Sequence, residues 1–238
     1  MGDGLRELQD ALARAGAGAE AVDAVAGTVI VVRDGRHGPE VLMLERPDRG
    51  SFAGAWVFPG GKVEAGDAGD AEWQAARSAG IRETWEETGL TLDADAVVAL
   101  SCWEPPAGMS TRIRTWFFVA PAPHTTELTL SADETVGAEW VRPADLLDRH
   151  GRGELRLYPP TWVTLHGLTG AGDIETLLAE VPAEPGRYAG ELRDDARGRF
   201  IMWAGDAEYG MSADAVQAAS ASRHRLRIDQ LPWEYERS

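Results

Sequence analysis

The feature that most constrains this chain is a row of acids set on one helical face after a glycine bend. Phe58-Pro59-Gly60-Gly61 is followed by Arg82-Glu83-Thr84-Trp85-Glu86-Glu87-Thr88-Gly89. On a helix, Glu83, Glu86 and Glu87 fall at i, i+3 and i+4 and share one face. Like charges at that spacing repel, so the face is expected to hold something positive. Carboxylate oxygens are hard ligands that suit Mg²⁺ or Mn²⁺, ions that keep waters and bridge to phosphate oxygens. Arg82 directly precedes Glu83 and lies one turn before Glu86, so it can orient their carboxylates by charge-assisted hydrogen bonds. Gly89 reads as the helix C-cap. A solvated acidic helix is the plain alternative for such a run, but it leaves Phe58-Pro59-Gly60-Gly61 unexplained.

The remaining segments place this helix among strands. Ala24–Arg33 reads as a buried strand, Asp34–Pro39 as a turn and Glu40–Arg46 as a second strand, together a hairpin. Trp56–Phe58 is a short strand leading into the glycines, whose lack of a side chain lets backbone approach a ligand. The acidic helix is expected from about Ala71 to Thr88, with N-caps on offer in Asp67–Asp70 and a kink at Gly80. Val97–Trp103, Arg112–Ala120 and Glu139–Arg142 read as strands, and Pro143–Arg149, Pro159–Leu168 and Asp173–Val181 as helices. Further on, Arg199–Trp203 and His224–Ile228 are expected to pair as an extra hairpin. Before all of these, Gly4–Ala15 has apolar residues at helical spacing, with a Gly/Ala linker to Ala19.

The totals narrow the function. The 238 residues carry a formal net charge of −16, which disfavours binding to nucleic acid polymers because that rests on Lys/Arg neutralising phosphates. Small phosphate substrates remain open, since a bound metal reverses the local charge. No apolar run is long enough for a membrane span, and the N-terminus lacks the apolar core of a signal peptide. Cys102 is the one cysteine, so no internal disulfide forms; with the missing signal, this fits a cytoplasmic protein. Cys102 itself is expected to be a half-buried strand thiol rather than a nucleophile. His37, His124, His150, His166 and His224 show no metal-ligand spacing. Neither a phosphate-binding P-loop nor a dinucleotide-binding glycine fingerprint occurs.

The stretch from Gly61 to Leu90 resembles the Nudix box, G-x5-E-x7-R-E-U-x-E-E-x-G-U with U aliphatic. Gly61 matches its first glycine, and Arg82, Glu83, Glu86, Glu87, Gly89 and Leu90 match its second half. Thr84 replaces an aliphatic residue. Twenty residues separate Gly61 from Arg82, seven more than in the pattern, so the motif's first acid is either Asp67, counted from Gly61, or Gln74, counted back from Arg82. The Trp103-Glu104-Pro105, Glu139-Trp140-Val141 and Tyr158-Pro159-Pro160-Thr161-Trp162 segments are similar to an acyl-coenzyme A diphosphatase-like subgroup, which also carries insertions in the box.

The resemblance implies an α/β fold, the Nudix α/β/α sandwich with a mixed sheet. It is expected over residues 21–181, after an N-terminal helix and linker (1–20) and before a helical and small β extension (182–238) packed on the same domain. It implies metal-dependent hydrolysis of a nucleoside diphosphate-X substrate, by water attack at phosphorus. The ligands of Mg²⁺ or Mn²⁺ would be Glu83, Glu86, Glu87 and the carbonyl of Gly60. The general base is left open among Glu87, Glu104 and Glu134, with Glu134 favoured outside the box. Leu42–Gly61 resembles a coenzyme A signature, in which Arg46, Arg49 and Gly54 match approximately. The two arginines could clamp a 3′-phosphate or the diphosphate, or be plain surface charges. Trp56, Trp103 and Trp116 could stack on a base or belong to the core. The substrate is coenzyme A or acyl-CoA in the leading expectation, with ADP-ribose and dinucleotides as alternatives. A catalytically inactive domain sensing a nucleotide metabolite is the other alternative, and a homodimer is left open.

Overall fold

The computed structural model describes residues 22–49, 52–109, 112–125, 127–131, 135–211 and 222–238. The helix expected at Gly4–Ala15 and its linker, like Glu134, lie outside them. Two long strands organise the rest: β1 (Ala24–Gly35) and β6 (Ile113–Pro121) pair in parallel from Ala24↔Ile113 to Val32↔Pro121. The other edge of β1 takes β2 (Gly38–Glu45) and β4 (Gly60–Lys62), both antiparallel. The hairpin is tighter than the sequence suggested. Strand pairing continues to Gly35↔Gly38 because Arg33 and Glu40 face each other across it, joined at 2.7 Å. β3 (Trp56–Val57) and β7 (Gly137–Val141) add to β2, and β5 (Val98–Glu104) to β6. β8 (Gly186–Ala189) closes the eight-stranded mixed sheet by parallel pairing with β5.

The apolar run of β1 is buried on both faces, which is why it does not alternate. Val29 and Val31 join Leu42, Leu44, Phe118 and Ala76 in the core beneath α1 (Glu72–Thr88). Ile30 and Val32 join Met43, Leu146, Val163 and Leu177 on the opposite face, under α2 (Pro143–Gly151), α3 (Pro159–Gly167) and α4 (Ile174–Ala179). Helices therefore cover both faces of one sheet, the expected α/β/α sandwich. Among the described residues no helix is long and apolar enough to cross a membrane.

Gly80 does not break α1, which is one continuous helix. Its role is close packing against β1. A Cβ on Gly27 would stand 1.7 Å from the Ala76 carbonyl oxygen, and one on Gly80 would stand 3.0 Å from Val29 Cγ2. Two residues without side chains thus let helix and strand approach more closely than alanines would.

The chain after α4 holds more structure than the one hairpin expected. β10 (Gly198–Met202) and β11 (His224–Arg227) do pair antiparallel, but β9 (Glu191–Asp195) and β12 (Glu234–Arg237) flank them in a four-stranded sheet. This small sheet seats Ile201, Trp203, Leu226 and Trp233 in the same core as α2 and α3. At its centre Arg225 is fully buried, bonded in bidentate fashion to Asp206 at 2.6 and 2.7 Å.

Candidate active site

The C-terminal half of α1 carries the acids, and β4 brings the glycines beneath them. Three contacts fix that bend. Val29 N–H and the Thr28 hydroxyl both donate to the Pro59 carbonyl, at 2.9 and 2.7 Å, and β4 pairs with β1 at Thr28↔Gly60. Gly60 takes a φ of 154°, and a Cβ there would sit 2.4 Å from the Gly27 carbonyl oxygen. A Cβ on Gly61 would fall 2.3 Å from the carboxyl carbon of Glu83. The second glycine therefore makes the cradle in which the Glu83 carboxylate lies.

The three acids differ widely in exposure. The Glu87 side chain is 1% exposed, Glu83 15% and Glu86 45%. Glu87 accepts from Gly60 N–H at 3.0 Å and from the Arg46 guanidinium at 2.6 Å. Arg82 donates to Glu83 at 2.9 Å, to Glu86 at 3.0 Å and to the Lys62 carbonyl at 3.1 Å. The expectation that Arg82 orients these carboxylates describes its observed contacts. Gly89 ends the helix in the left-handed conformation, its N–H bonded to the Trp85 carbonyl at 2.8 Å.

The two readings of the motif's first acid part clearly. Asp67 accepts from both Nε and Nη2 of Arg82, at 3.1 and 3.2 Å, so it completes the arginine's brace. Burial opposes the Asp67 charge, but the Arg82 and Glu64 N–H bonds outweigh it and hold the carboxyl below its ordinary range. Gln74 instead accepts the N–H of the N-cap residue Ala71 at 2.9 Å and caps the helix. No side chain from Asp67–Asp70 caps it. The Ser78 hydroxyl donates to the Ala68 carbonyl at 2.7 Å, folding the extra loop back onto the helix. Thr84, the polar departure from the pattern, is fully buried and gives its hydroxyl to the Gly80 carbonyl at 2.7 Å, so it fills an apolar position without an orphaned donor.

Glu83 and Glu87 open onto a cavity of about 700 Å³, bounded by Gly60, Gly61, Arg46 and these two acids at one end. Of the two candidate arginines only Arg46 reaches it, as the partner of Glu87; Arg49 stands exposed outside its wall. Glu104 lies in the wall, bonded to Arg114 at 2.8 Å. The tryptophans are committed to the protein itself. Trp103 stacks on Tyr188 at 3.8 Å, the Trp116 indole donates to Glu72 at 2.9 Å, and the Trp56 ring carries the Arg149 guanidinium at 5.3 Å. Cys102 is fully rather than half buried, and burial pushes its thiol up to about 11, far from a nucleophile's range. The sequence reading missed Phe52, Ile201 and Trp203. Phe52, within the Leu42–Gly61 segment, packs edge-on to Tyr158 at 4.9 Å over the cavity, and Ile201 and Trp203 enter it from the small sheet. The last two lie too far along the chain from the box to leave a local signal.

Among the described residues, no three His, Cys, Asp or Glu side chains converge closely enough to hold an ion as they stand. The donor set nonetheless fits a hard divalent cation. Glu83 and Glu87 face the cavity as hard oxygens, Gly61 leaves the space that Glu83 fills, and Glu86 is open to solvent. Their positive partners are at present arginines.

Comparison with known proteins agrees with this geometry. The NUDIX domain model matches residues 24–160. The CTP pyrophosphohydrolase of Escherichia coli (strain K12) is 31% identical over 118 residues, covering 50% of this chain and 75% of that protein. The crystal structure of a NUDIX hydrolase from Alicyclobacillus acidocaldarius superposes with a TM-score of 0.62 at 23% identity, over 71% of this chain and 100% of that one. The likeness to the Alicyclobacillus structure speaks for the fold alone.

Proposed function

Since the chain belongs to the NUDIX family, whose domain spans residues 24–160, we propose that it cleaves a nucleoside diphosphate-X substrate, coenzyme A or an acyl-CoA, at the acid end of the cavity. Hydrolysis of a diphosphate linkage is the activity of the family, and this chain is a Nudix hydrolase. The observation that carries the site assignment is the juxtaposition of Glu83, Glu86 and Glu87 with the Gly60-Gly61 bend, braced by Arg82 and Asp67.

Glu83, Glu86 and Glu87, with the Gly60 carbonyl, would hold Mg²⁺ or Mn²⁺. Such a cation, when bound, offsets the charge of the diphosphate and lowers the pKa of a water. The protein's own share is positioning. Arg82, fixed by Asp67, restricts the rotamers of two of the acids, so little ordering is left to be done when substrate arrives. Gly60 N–H and Arg46 hold Glu87 against the bend. Arg46, at the cavity wall, is also placed to exchange its carboxylate for a substrate phosphate, since a guanidinium binds both in the same forked manner. Glu104 and Glu87 are the candidate general bases within the described wall, and Glu134 remains a candidate outside it.

The size of the cavity supports coenzyme A or an acyl-CoA, because a diphosphate alone occupies little of its roughly 700 Å³. The 31% identity to a CTP pyrophosphohydrolase favours a second reading, a nucleoside triphosphate cleaved to the monophosphate. Incubation with Mg²⁺ or Mn²⁺ and coenzyme A, acetyl-CoA, ADP-ribose, diadenosine polyphosphates or CTP separates them by product. Release of 3′,5′-ADP from the CoA substrates is expected. Release of CMP alone would favour the second reading, and no mononucleotide from any substrate would favour the sensing alternative.

A further inference from the structure

The far end of the cavity differs in chemistry from the acid end, and much of it comes from outside the family region. Trp103, Met109 and Phe117 line it from the main sheet and its connections, while Ile201 and Trp203 line it from the small C-terminal sheet. The family region ends at residue 160, so these last two belong to this chain's own extension. The junction is tight. Gly190 donates its N–H to the Glu104 carbonyl at 3.1 Å, and a Cβ on it would lie 2.8 Å from Ile201 Cδ1 and 3.3 Å from Pro106 Cδ. The pairing of β8 with β5, at Trp103↔Tyr188 and Glu104↔Ala189, holds the extension against the cavity wall.

Pro105, Pro106, Pro159 and Pro160 in the cavity's lining have no N–H to donate, and the uncharged polar side chains toward this end are few, the hydroxyls of Thr115, Tyr158 and Thr161. The Trp103 ring is covered by Tyr188 on one face and meets the edge of Trp203 at 5.6 Å; the two indoles are 4% and 1% exposed. Little ring face is left to stack a base. Glu104, next to Pro105 in the chain, is bonded to Arg114 at 2.8 Å. Met109 is half buried, and its unbranched thioether adapts to a flexible guest.

We propose that the C-terminal sheet is a specificity element of the active site. Ile201 and Trp203 close an apolar compartment that takes an aliphatic portion of the group beyond the diphosphate and sets its permitted length. This rests on the diphosphatase reading above for the placement of the diphosphate. Its test is binding, which does not depend on turnover.

Calorimetry with α,β-methylene analogues of ADP β-alkyl esters, from methyl to hexyl, reports the compartment directly. For the wild-type protein, affinity is expected to rise about fourfold for each methylene buried, until the compartment is full. Ile201→Trp should end that rise at a shorter chain, and Met109→Lys should flatten it, each leaving the methyl ester within about twofold of wild type. Met109 is half buried, so its variant keeps the test open if Ile201→Trp does not fold. A hexyl ester bound no more tightly than the methyl ester, or variants that weaken both esters equally, would overturn the proposal. Chain-length-dependent binding with no AMP released from the hydrolysable esters would instead support the compartment and overturn the hydrolytic reading.

Discussion

Two glycine–carboxylate contacts decide whether the acids face the bend. Gly61→Ala places a methyl group on the Glu83 carboxylate, the far end of a flexible side chain, so the chain can yield there without unfolding. The expected outcome is a fall in kcat of about a hundredfold with little change in Tm, because the acid moves and the core does not. Arg46→Met acts in the opposite sense. It removes the guanidinium bonded at 2.6 Å to the buried Glu87 carboxylate, and should lower stability by about 3 kcal/mol. Added Mg²⁺ should raise the Tm of this variant more than that of wild type, since a cation at Glu87 replaces the lost charge; thermal melts with and without Mg²⁺ read this. At this scale much was legible in the sequence. The helical spacing of Glu83, Glu86 and Glu87 and the position of Arg82 followed from residue order alone. The choice between Asp67 and Gln74 did not, because it depends on how the inserted loop folds back onto α1.

At the scale of elements, α1 is held to β1 by missing side chains as much as by present ones. Gly27→Ala would drive a methyl group into the Ala76 carbonyl, backbone against backbone, and should cost about 3 kcal/mol as the helix is pushed off the sheet. In Gly80→Ala the methyl meets Val29 Cγ2 at 3.0 Å and the Gly27 carbonyl carbon at 3.3 Å, milder contacts than that of Gly27→Ala, and alanine gains about 1 kcal/mol in helix propensity. That variant should stay within about 1 kcal/mol of wild type by urea denaturation. The same pair explains why Gly80 reads in the sequence as an interruption of the helix although α1 runs through it unbroken. A glycine in a helix signals either a bend or a close neighbour, and the neighbour, Gly27, lies far away in the chain. The strands of the main sheet were readable because their apolar runs are long. β9 (ELRDD) and β12 (EYER) are short and mostly charged, stabilised by pairs such as Arg227 with Asp195 at 2.9 Å and with Glu236 at 2.9 Å, which no apolar pattern announces.

For the whole molecule, acid should act on the face opposite α1 and on the small sheet. Burial pushes the imidazole of His150 down to about 4, so the native state resists a proton that the unfolded chain accepts below about pH 6.5. Stability should therefore fall as pH drops from about 6.5 to about 4, by about 3 kcal/mol, and His150→Phe should flatten that slope in urea titrations. Asp206 adds to this at lower pH. Burial opposes its charge, but Arg225 and the backbone N–H groups of His224 and Glu208 hold the carboxyl at about 2. Its contribution is present above about pH 4 and is lost as pH falls toward 2. The fold delivers both the acid end and the apolar end of one cavity, the first from the box on β4 and α1 and the second from chain segments that meet only when the sheet is assembled. The claim on which the account depends is that the acids of α1 drive diphosphate hydrolysis. Glu86 is the one to change, being 45% exposed and therefore dispensable to folding. With a substrate that the wild-type protein turns over in Mg²⁺, Glu86→Gln should lose at least about a hundredfold in kcat at unchanged Tm; near-normal turnover would contradict it.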